Sequence, residues 1–513
     1  MNKRYLWTLL IVLALVILRI PALLHPILDV DEAIYGLFAR IWFDGGIPYV
    51  NCVETKPLGI YLFFGSIFSI FGKWNMIAVH AVTIIIVGIT SCVLYKISAL
   101  LYSKEAGYWA ALLYIVFSVT YIPKVLATTI EPIMLLPVCL QFYYWLKYES
   151  NENLSSAFLS GIFFAAACCF KYQAGMNLFI LLAYLLFIRH RIPLKAAGLF
   201  FCGAIIPPAV MFIYIYIAGA LNGFIYWNII GNANYISQGS ESLHLVNRIV
   251  TRVIPYVAST ALLWSLSFTA IFKKIRSLAA RSQHKHAYNL RPTQNDESEW
   301  LIILWFILSF VPVSTGYRFY GHYFLLLLPS MAILSSRIAV SAFERLWPRR
   351  LIIFWMLLPA IGFTVARFYI SDIHKVVKED NLDDYKPIAS YVASRTNPED
   401  KILAWGYVPA IYWYSHRLPA IRFFWSDVIT GRVPGLKDEL IDSDKFINHD
   451  AWKMFWEDIK KNRPVYIIDT APSGLHNYKN YPISRYPELM KYVNNNYKEE
   501  AQLNGTIFYR RID

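Results

Sequence analysis

Long apolar runs alternate with short polar segments over the first 370 residues, and then the alternation stops. A run at 5–24 is followed by runs at 76–101, 106–121, 125–146, 154–170, 174–188, 194–218, 253–272, 300–313, 320–339 and 351–368. A straight span needs roughly 20 apolar residues. The pattern therefore predicts a polytopic α-helical membrane protein with about 11 transmembrane helices, several of them short. Two further stretches, 36–42 and 58–71, lie between the first two runs. The first is short and amphipathic, and the second is apolar, short and preceded by Pro57. Both are expected to lie in the interface, with a span at 58–71 as the alternative. Beyond residue 371 charges become frequent. There 385–393 reads as a helix, 401–405 and 465–469 as buried strands, and 505–511 as a final strand. The expected organisation is a transmembrane domain at 1–370, whose first outer loop at 25–75 holds the interfacial helices. A small C-terminal extracytoplasmic α/β domain follows at 371–513.

Composition agrees with this class: 57% of residues are apolar and only 16% charged. A net charge of +14 raises the question of nucleic acid. Its distribution answers it, because residues 371–513 carry Lys+Arg and Asp+Glu in equal number. The whole excess lies among the apolar runs, where basic residues set orientation. No nucleic-acid partner is expected. The first run resembles a signal peptide, but it is long, lacks a small-residue cleavage site and is followed by more spans, so it reads as an uncleaved helix. Lys3 and Arg4 place the N-terminus in the cytoplasm. Alternate loops then hold Lys104, Lys147, Arg189 with Arg191, the basic run 273–291, and Arg345 to Arg350, all inside. Outer loops hold only isolated cations: Lys56, Lys124, Lys171, Arg248, Arg252 and Arg318. An odd number of spans puts the C-terminal domain outside. Five of the six cysteines fall in apolar runs and none has metal-site spacing.

The stretch after the first run concentrates the candidate chemistry. Asp29, Asp31 and Glu32 stand beside a predicted span, and Glu54 and Lys56 follow after a turn at Asp44-Gly45-Gly46. Carboxylates beside a bilayer are costly unless hydrated or paired. The outer face also collects Glu131, Lys171, Arg318, His322 and Tyr323. Acids and bases at one boundary suit a reaction that needs a general base for an acceptor hydroxyl. It would also need cations for an anionic leaving group. Transfer of a sugar from a lipid-linked phosphate has both needs.

The ordered set of motifs carries a resemblance. It runs from Asp31-Glu32 with Tyr35 one turn on, through Asp44-Gly45-Gly46-x-Pro48-Tyr49, to Lys56-Pro57-Leu58. It continues with Thr129-Ile130-Glu131, Cys169-Phe170-Lys171, Arg318-Phe319-Tyr320-Gly321-His322-Tyr323 and Trp405-Gly406-Tyr407-x-Pro409. This set resembles the membrane glycosyltransferases of the GT-C fold. Within them it is similar to bacterial relatives of protein O-mannosyltransferase, the lipid A aminoarabinose transferase and the lipopolysaccharide core galacturonosyl transferases. The resemblance implies a GT-C-like catalytic domain at 1–370 and a polyprenyl-phosphate sugar donor. The acceptor would be a lipid, glycan or protein, and transfer would invert the sugar. It implies that Asp31 is the base or acceptor-positioning carboxylate, with Glu32 its neighbour. Lys56, Lys171, Arg318 and His322 would contact the donor phosphate. Tyr35, Glu54, Glu131 and Tyr323 would orient the site or the acceptor. No motif demands a cofactor. A divalent metal stays open, although Thr55 separates Glu54 from Lys56 where the aminoarabinose transferase has the Glu directly before the Lys.

Plainer readings compete. Asp31 and Glu32 could cap a helix, Lys56 could be an interface anchor, and Glu131 precedes Pro132 at a helix start. His322 could be an interfacial histidine, and the 273–291 run an orientation signal or a hold on anionic membrane lipid. The aromatic abundance reads mostly as packing and interface belt, not as a sugar-stacking platform. A transporter or flippase of lipid-linked sugar is the alternative function. It would place charges near the midplane in repeated halves, and neither is evident in the sequence.

Overall fold

A computed structural model describes residues 3–120, 123–232, 245–283, 294–368, 382–433 and 443–512. Every predicted run carries a helix. In chain order, with the two interfacial stretches, these are α1 (Lys3–Leu23), α2 (Val30–Phe43), α3 (Gly59–Phe71), α4 (Met76–Leu101) and α5 (Lys104–Phe117). Then come α6 (Ile130–Asn151), α7 (Leu154–Cys168), α8 (Met176–Phe187), α9 (Leu194–Ile217) and α10 (Ala261–Gln283). The set closes with α11 (Gln294–Leu308), α12 (Leu328–Phe343) and α13 (Leu346–Phe368). Among the described residues, five stretches are long and apolar enough to cross a bilayer, and Leu245–Ser259 with the start of α10, bent by 76°, makes a sixth if the bent pair is one span. Of the other helices, α5, α7 and α8 are shorter, and α6 carries Glu131, Gln141, Lys147 and Glu149 along its 22 residues. The side chain of Lys124, part of the 273–291 run, and the expected boundary at 370/371 lie outside the described residues.

The helices sort into centre and periphery. The segment Gly321–Phe343, which holds α12, is 83% buried over its most apolar window, against 17% for α1 and for α9. Leu13 and Ile17 on α1, Ile205 and Ile213 on α9, and Phe354 and Leu358 on α13 are exposed. Such bands suit contact with lipid tails, and water would not tolerate them. Helices α7 and α9 approach closely because Gly161 and Gly203 face the opposite backbone. A Cβ on them would meet Phe200 O at 1.9 Å and Phe158 O at 2.2 Å. This is the small-residue packing of membrane helices.

The C-terminal segment holds a four-stranded sheet of order β1-β2-β4-β3, from β1 (Ile402–Trp405), β2 (Tyr466–Asp469), β3 (Tyr497–Leu503) and β4 (Thr506–Arg511). Strands β1 and β2 are parallel, and the other pairs antiparallel. Helices α14 (Tyr385–Ala393), α15 (Pro409–Ser415), α16 (His449–Asn462) and α17 (Pro487–Asn496) accompany the sheet. Strand β3 escaped the sequence reading for a physical reason. It is an edge strand whose Lys498, Glu499 and Glu500 are exposed, and charge on an edge blocks stray pairing while hiding the apolar alternation.

This segment docks on the stretch between α1 and α4. Helix α2 packs against α15. Gly36 lets it: a Cβ there would meet the Trp413 ring at 2.5 Å. Trp74 packs edge-on against Trp413 at 4.9 Å and stacks on His416 at 5.1 Å. Val53 N donates to Arg422 O at 3.0 Å.

Two outcomes follow. Gly36→Val forces apart α2 and Trp413 and lowers stability by about 2 kcal/mol. Trp413→Ala relieves part of that loss, so the double mutant in thermal denaturation is less than additive. Asp469 gives a pH signature. Its carboxylate accepts from Ala471 N and Ile483 N, each at 3.0 Å, yet burial wins and raises its pKa to about 6. An acid with a raised folded pKa favours the folded state when neutral. Its contribution is whole below about pH 4 and lost as pH rises through 6, in total about 3 kcal/mol. The stability difference between wild type and Asp469→Ala should shrink by that amount between pH 4 and pH 7.

Candidate active site

Helix α2 starts where it does because Asp29 caps it. The Asp29 side chain accepts from Asp31 N at 2.9 Å, and Glu32 reaches back to close a capping box. Glu32 then does more than cap. One carboxylate oxygen accepts from Leu28 N at 2.7 Å and Asp29 N at 3.4 Å. The other meets His80 Nε2 of α4 at 2.9 Å and accepts from Thr128 N. Glu32 is fully buried. It joins the start of α2, the face of α4 and the loop before α6. Asp31, one residue earlier, points elsewhere and keeps partial solvent access. Its charge lies within electrostatic reach of Tyr35, Lys171 and Tyr323, and also of Tyr407 from the C-terminal segment.

Lys56 sits on a loop fixed from several sides. Its Nζ pairs with Glu54 at 3.3 Å and donates to Thr55 Oγ1 at 2.9 Å. Glu54 also accepts from Lys56 N at 2.9 Å and Tyr61 OH at 2.8 Å. The Lys56 carbonyl accepts from Tyr49 OH at 2.7 Å and from Asn228 Nδ2, and Tyr172 donates to Asn228 Oδ1. Asn228 was not singled out from the sequence. It lies in a π-helical stretch, Ile225–Ile230, a geometry often found at functional sites. The signal available was an asparagine inside an aromatic and β-branched run.

The third component is a buried pair. Lys171 Nζ contacts Glu131 at 2.6 Å and lies 4.0 Å from the centre of the Tyr323 ring. Removing two charges from water is costly, and a short pair with a ring face above the cation offsets that cost. Glu131 therefore serves Lys171, whatever it adds to the helix start. His322 stacks on Tyr320 at 5.8 Å and meets Tyr323 edge-on at 4.8 Å. Arg318 is buried in the same turn, whose carbonyls at Tyr317 and Arg318 accept from Arg248 and Arg252. Tyr317 and Phe319 both have left-handed backbones, φ 50° and 47°. Non-glycine residues hold that conformation only where the surroundings enforce it, which is common in binding sites.

The predicted residues fall into one connected cluster, with Glu32 behind it. Lys171 lies within electrostatic reach of Glu131, Lys56 and Asp31, Glu131 of His322, and Tyr323 of Arg318. Tyr35 is buried and sees Asp31, Glu54, Glu131 and Asp29. Burial first, and then those carboxylates, hold its phenol well above the usual range, so it stays a hydroxyl donor. Among the described residues, no group of three or more His, Cys, Asp or Glu side chains is placed to hold a metal ion. The arrangement offers a partly exposed carboxylate within electrostatic reach of Lys171, a second lysine, Lys56, also within reach of Lys171, and a set of hydroxyl donors. That combination can accept a proton on one side and hold a phosphate on the other.

Comparison with known proteins gives the fold. Residues 55–216 match the family model of dolichyl-phosphate-mannose-protein mannosyltransferase. The match covers less than half of the chain; it includes Lys56, Glu131 and Lys171 and starts beyond Asp31. No curated protein sequence matches the chain. Among solved structures, ArnT from Cupriavidus metallidurans bound to undecaprenyl phosphate aligns over 99% of this chain and 98% of its own, at 12% identity and TM-score 0.61. The Archaeoglobus fulgidus oligosaccharyltransferase tethered with an acceptor peptide aligns over 100% of this chain and 74% of its own, at 13% identity and TM-score 0.52. The same organism's AglB in complex with an inhibitory peptide and a dolichol-phosphate aligns over 99% and 74%, at 12% identity and TM-score 0.52. The chain therefore has the polytopic GT-C fold.

The two neighbouring carboxylates should separate in a stability assay. Glu32→Ala strands several buried donors and costs about 3 kcal/mol or more. Asp31→Ala, at a partly exposed position, stays within about 1 kcal/mol of wild type. Thermal unfolding in detergent checks both.

Proposed function

We propose that this protein transfers a monosaccharide from a polyprenyl-phosphate donor to a hydroxyl or phosphate of a cell-envelope acceptor. Transfer takes place at the outer face of a bacterial plasma membrane. The chain would run with its N-terminus in the cytoplasm and its C-terminal segment outside, as the positive-inside bias favours. The observation that carries the reading is Asp31. It keeps solvent access beside the buried Lys171–Glu131 pair and Lys56, while adjacent Glu32 is consumed by structure.

The donor's lipid tail would lie along the exposed apolar helices and its phosphate between Lys56 and Lys171. Arg318 and His322 would complete the anion site. Asp31 takes the proton from the acceptor hydroxyl. The acceptor oxygen forms a bond to the anomeric carbon as the bond from that carbon to the phosphate oxygen breaks. The electron pair leaves with the lipid phosphate, whose growing charge the lysines stabilise. Attack from the face opposite the leaving group inverts the anomeric centre. Tyr35, Glu54, Glu131 and Tyr323 hold the two lysines and the acceptor in place. The fold's presence in structures bound to undecaprenyl phosphate and dolichol-phosphate supports this donor class.

The test uses purified protein, a panel of radiolabelled polyprenyl-phosphate sugars and envelope extract as acceptor. Wild type should transfer one of the sugars. Asp31→Asn, folded to the same thermal midpoint, should lose roughly 10²–10⁴-fold in kcat. Lys56→Ala should mainly raise the donor KM. Unchanged transfer by Asp31→Asn would remove Asp31 as the base. Movement of lipid-linked sugar across vesicles without any transfer would replace the enzyme by a transporter.

A further inference from the structure

The C-terminal sheet presents a second set of side chains toward the same region. Strands β1 and β2 are parallel neighbours, with Trp405 opposite Asp469. The carboxyl ends of parallel strands are where open α/β sheets bind ligands. Tyr407 lies just past the end of β1, and His476 lies in the turn after β2. Their rings stack at 4.7 Å with only 6° between planes. Trp425 stands 5.8 Å from Tyr407, tilted by 56°. All three rings keep partial solvent access.

The position of His476 is enforced. His476 and Asn477 are both left-handed, φ 54° and 58°, after a left-handed Gly474. Two successive non-glycine residues in that region need external support. Arg432 supplies it, donating to the His476 carbonyl at 2.7 Å while paired with buried Asp427 at 3.2 Å. Tyr407 also lies within electrostatic reach of Asp31, Asp29 and Tyr320.

We propose that Tyr407, Trp425 and His476 form a saccharide subsite, and that the acceptor is therefore a glycan whose hydroxyl this subsite presents to Asp31. Presentation to Asp31 rests on the transfer reading above; binding of a saccharide does not. The chemistry fits a sugar ring. The C–H face of a pyranose is apolar and slightly electropositive, and an aromatic face is electronegative. The Tyr407 hydroxyl and His476 Nε2 are the polar groups these rings offer to the sugar's own hydroxyls, since His476 Nδ1 is buried. A strained loop that holds an imidazole stacked on a tyrosine, both residues partly open to solvent, is a poor fit to mere packing.

The experiment measures binding and transfer separately on the full-length protein in detergent. The probe is oligosaccharide released from lipopolysaccharide by mild acid, followed by saturation-transfer NMR, with a Ser/Thr-containing peptide as comparison. Wild type and Asp31→Asn should bind the oligosaccharide equally. His476→Ala and Trp425→Ala, with unchanged thermal midpoints, should bind it at least tenfold more weakly. Tyr407→Phe and Trp425→Phe, which keep a ring face, should retain most binding. In transfer assays His476→Ala and Trp425→Ala should raise the acceptor KM at least tenfold and leave the donor KM unchanged. Ring-dependent oligosaccharide binding by a wild type that transfers nothing would still support the subsite while ending the transfer reading. Wild-type binding and acceptor KM in both alanine variants would overturn the subsite. Binding of the peptide in place of the oligosaccharide would overturn it as well.

Discussion

The site depends on one buried carboxylate. Glu32 holds the first turn of α2, the face of α4 and the loop before α6 with a single pair of oxygens. A fully buried carboxylate is tolerable only when its lone pairs are filled, and here they are filled from three separate parts of the chain. The consequence is orientation. With Glu32 turned inward, the neighbouring residue on a helix points about 100° away, and Asp31 keeps partial solvent access. Loss of that anchor frees the start of α2, and with it the relation between Asp31 and Lys171.

Around this anchor the charges divide by burial. Glu131 and Lys171 neutralise one another under the Tyr323 ring. Lys56 is steadied by Glu54 and by a loop that Tyr49, Tyr172 and Asn228 hold through its carbonyl. Preorganised cations of this kind need no rearrangement as charge develops on a leaving group. Asp31 keeps partial solvent access, and Tyr407 of the docked C-terminal segment lies within electrostatic reach of it. The docking is aromatic, built on Trp74, Trp413 and the absence of a side chain at Gly36.

Much of this was readable in the sequence because the bilayer imposes so strong a pattern. Helix 76–101 and helix 385–393 fall at the residues expected, and each apolar run contains a helix. The number of spans was less readable. Runs such as 154–170 give a 15-residue helix, and the run at 253–272 is broken by a sharp bend, which composition does not reveal. The candidate residues stand out in the sequence because acids and bases are rare beside apolar runs, and the fold brings Asp31, Lys56, Glu131 and Lys171 within electrostatic reach of one another through Lys171. The different situations of Asp31 and Glu32 were hidden, since the partners of Glu32 lie 48 and 96 residues away. Asn228 was hidden because its work is done on a backbone carbonyl, which leaves no mark of pairing in the sequence.

The central claim is that the cluster of Asp31, Lys56 and Lys171 receives a lipid-linked phosphate. Direct binding tests it without knowledge of the sugar. Undecaprenyl phosphate and undecaprenol would be titrated into the full-length protein in lipid nanodiscs, with Lys56→Ala and Lys171→Ala alongside, and occupancy read by native mass spectrometry. The account predicts saturable binding of the phosphate and at least tenfold weaker binding of the alcohol. Both lysine variants should lose most of that difference. Equal binding of phosphate and alcohol, or a preference unchanged in both variants, would contradict it.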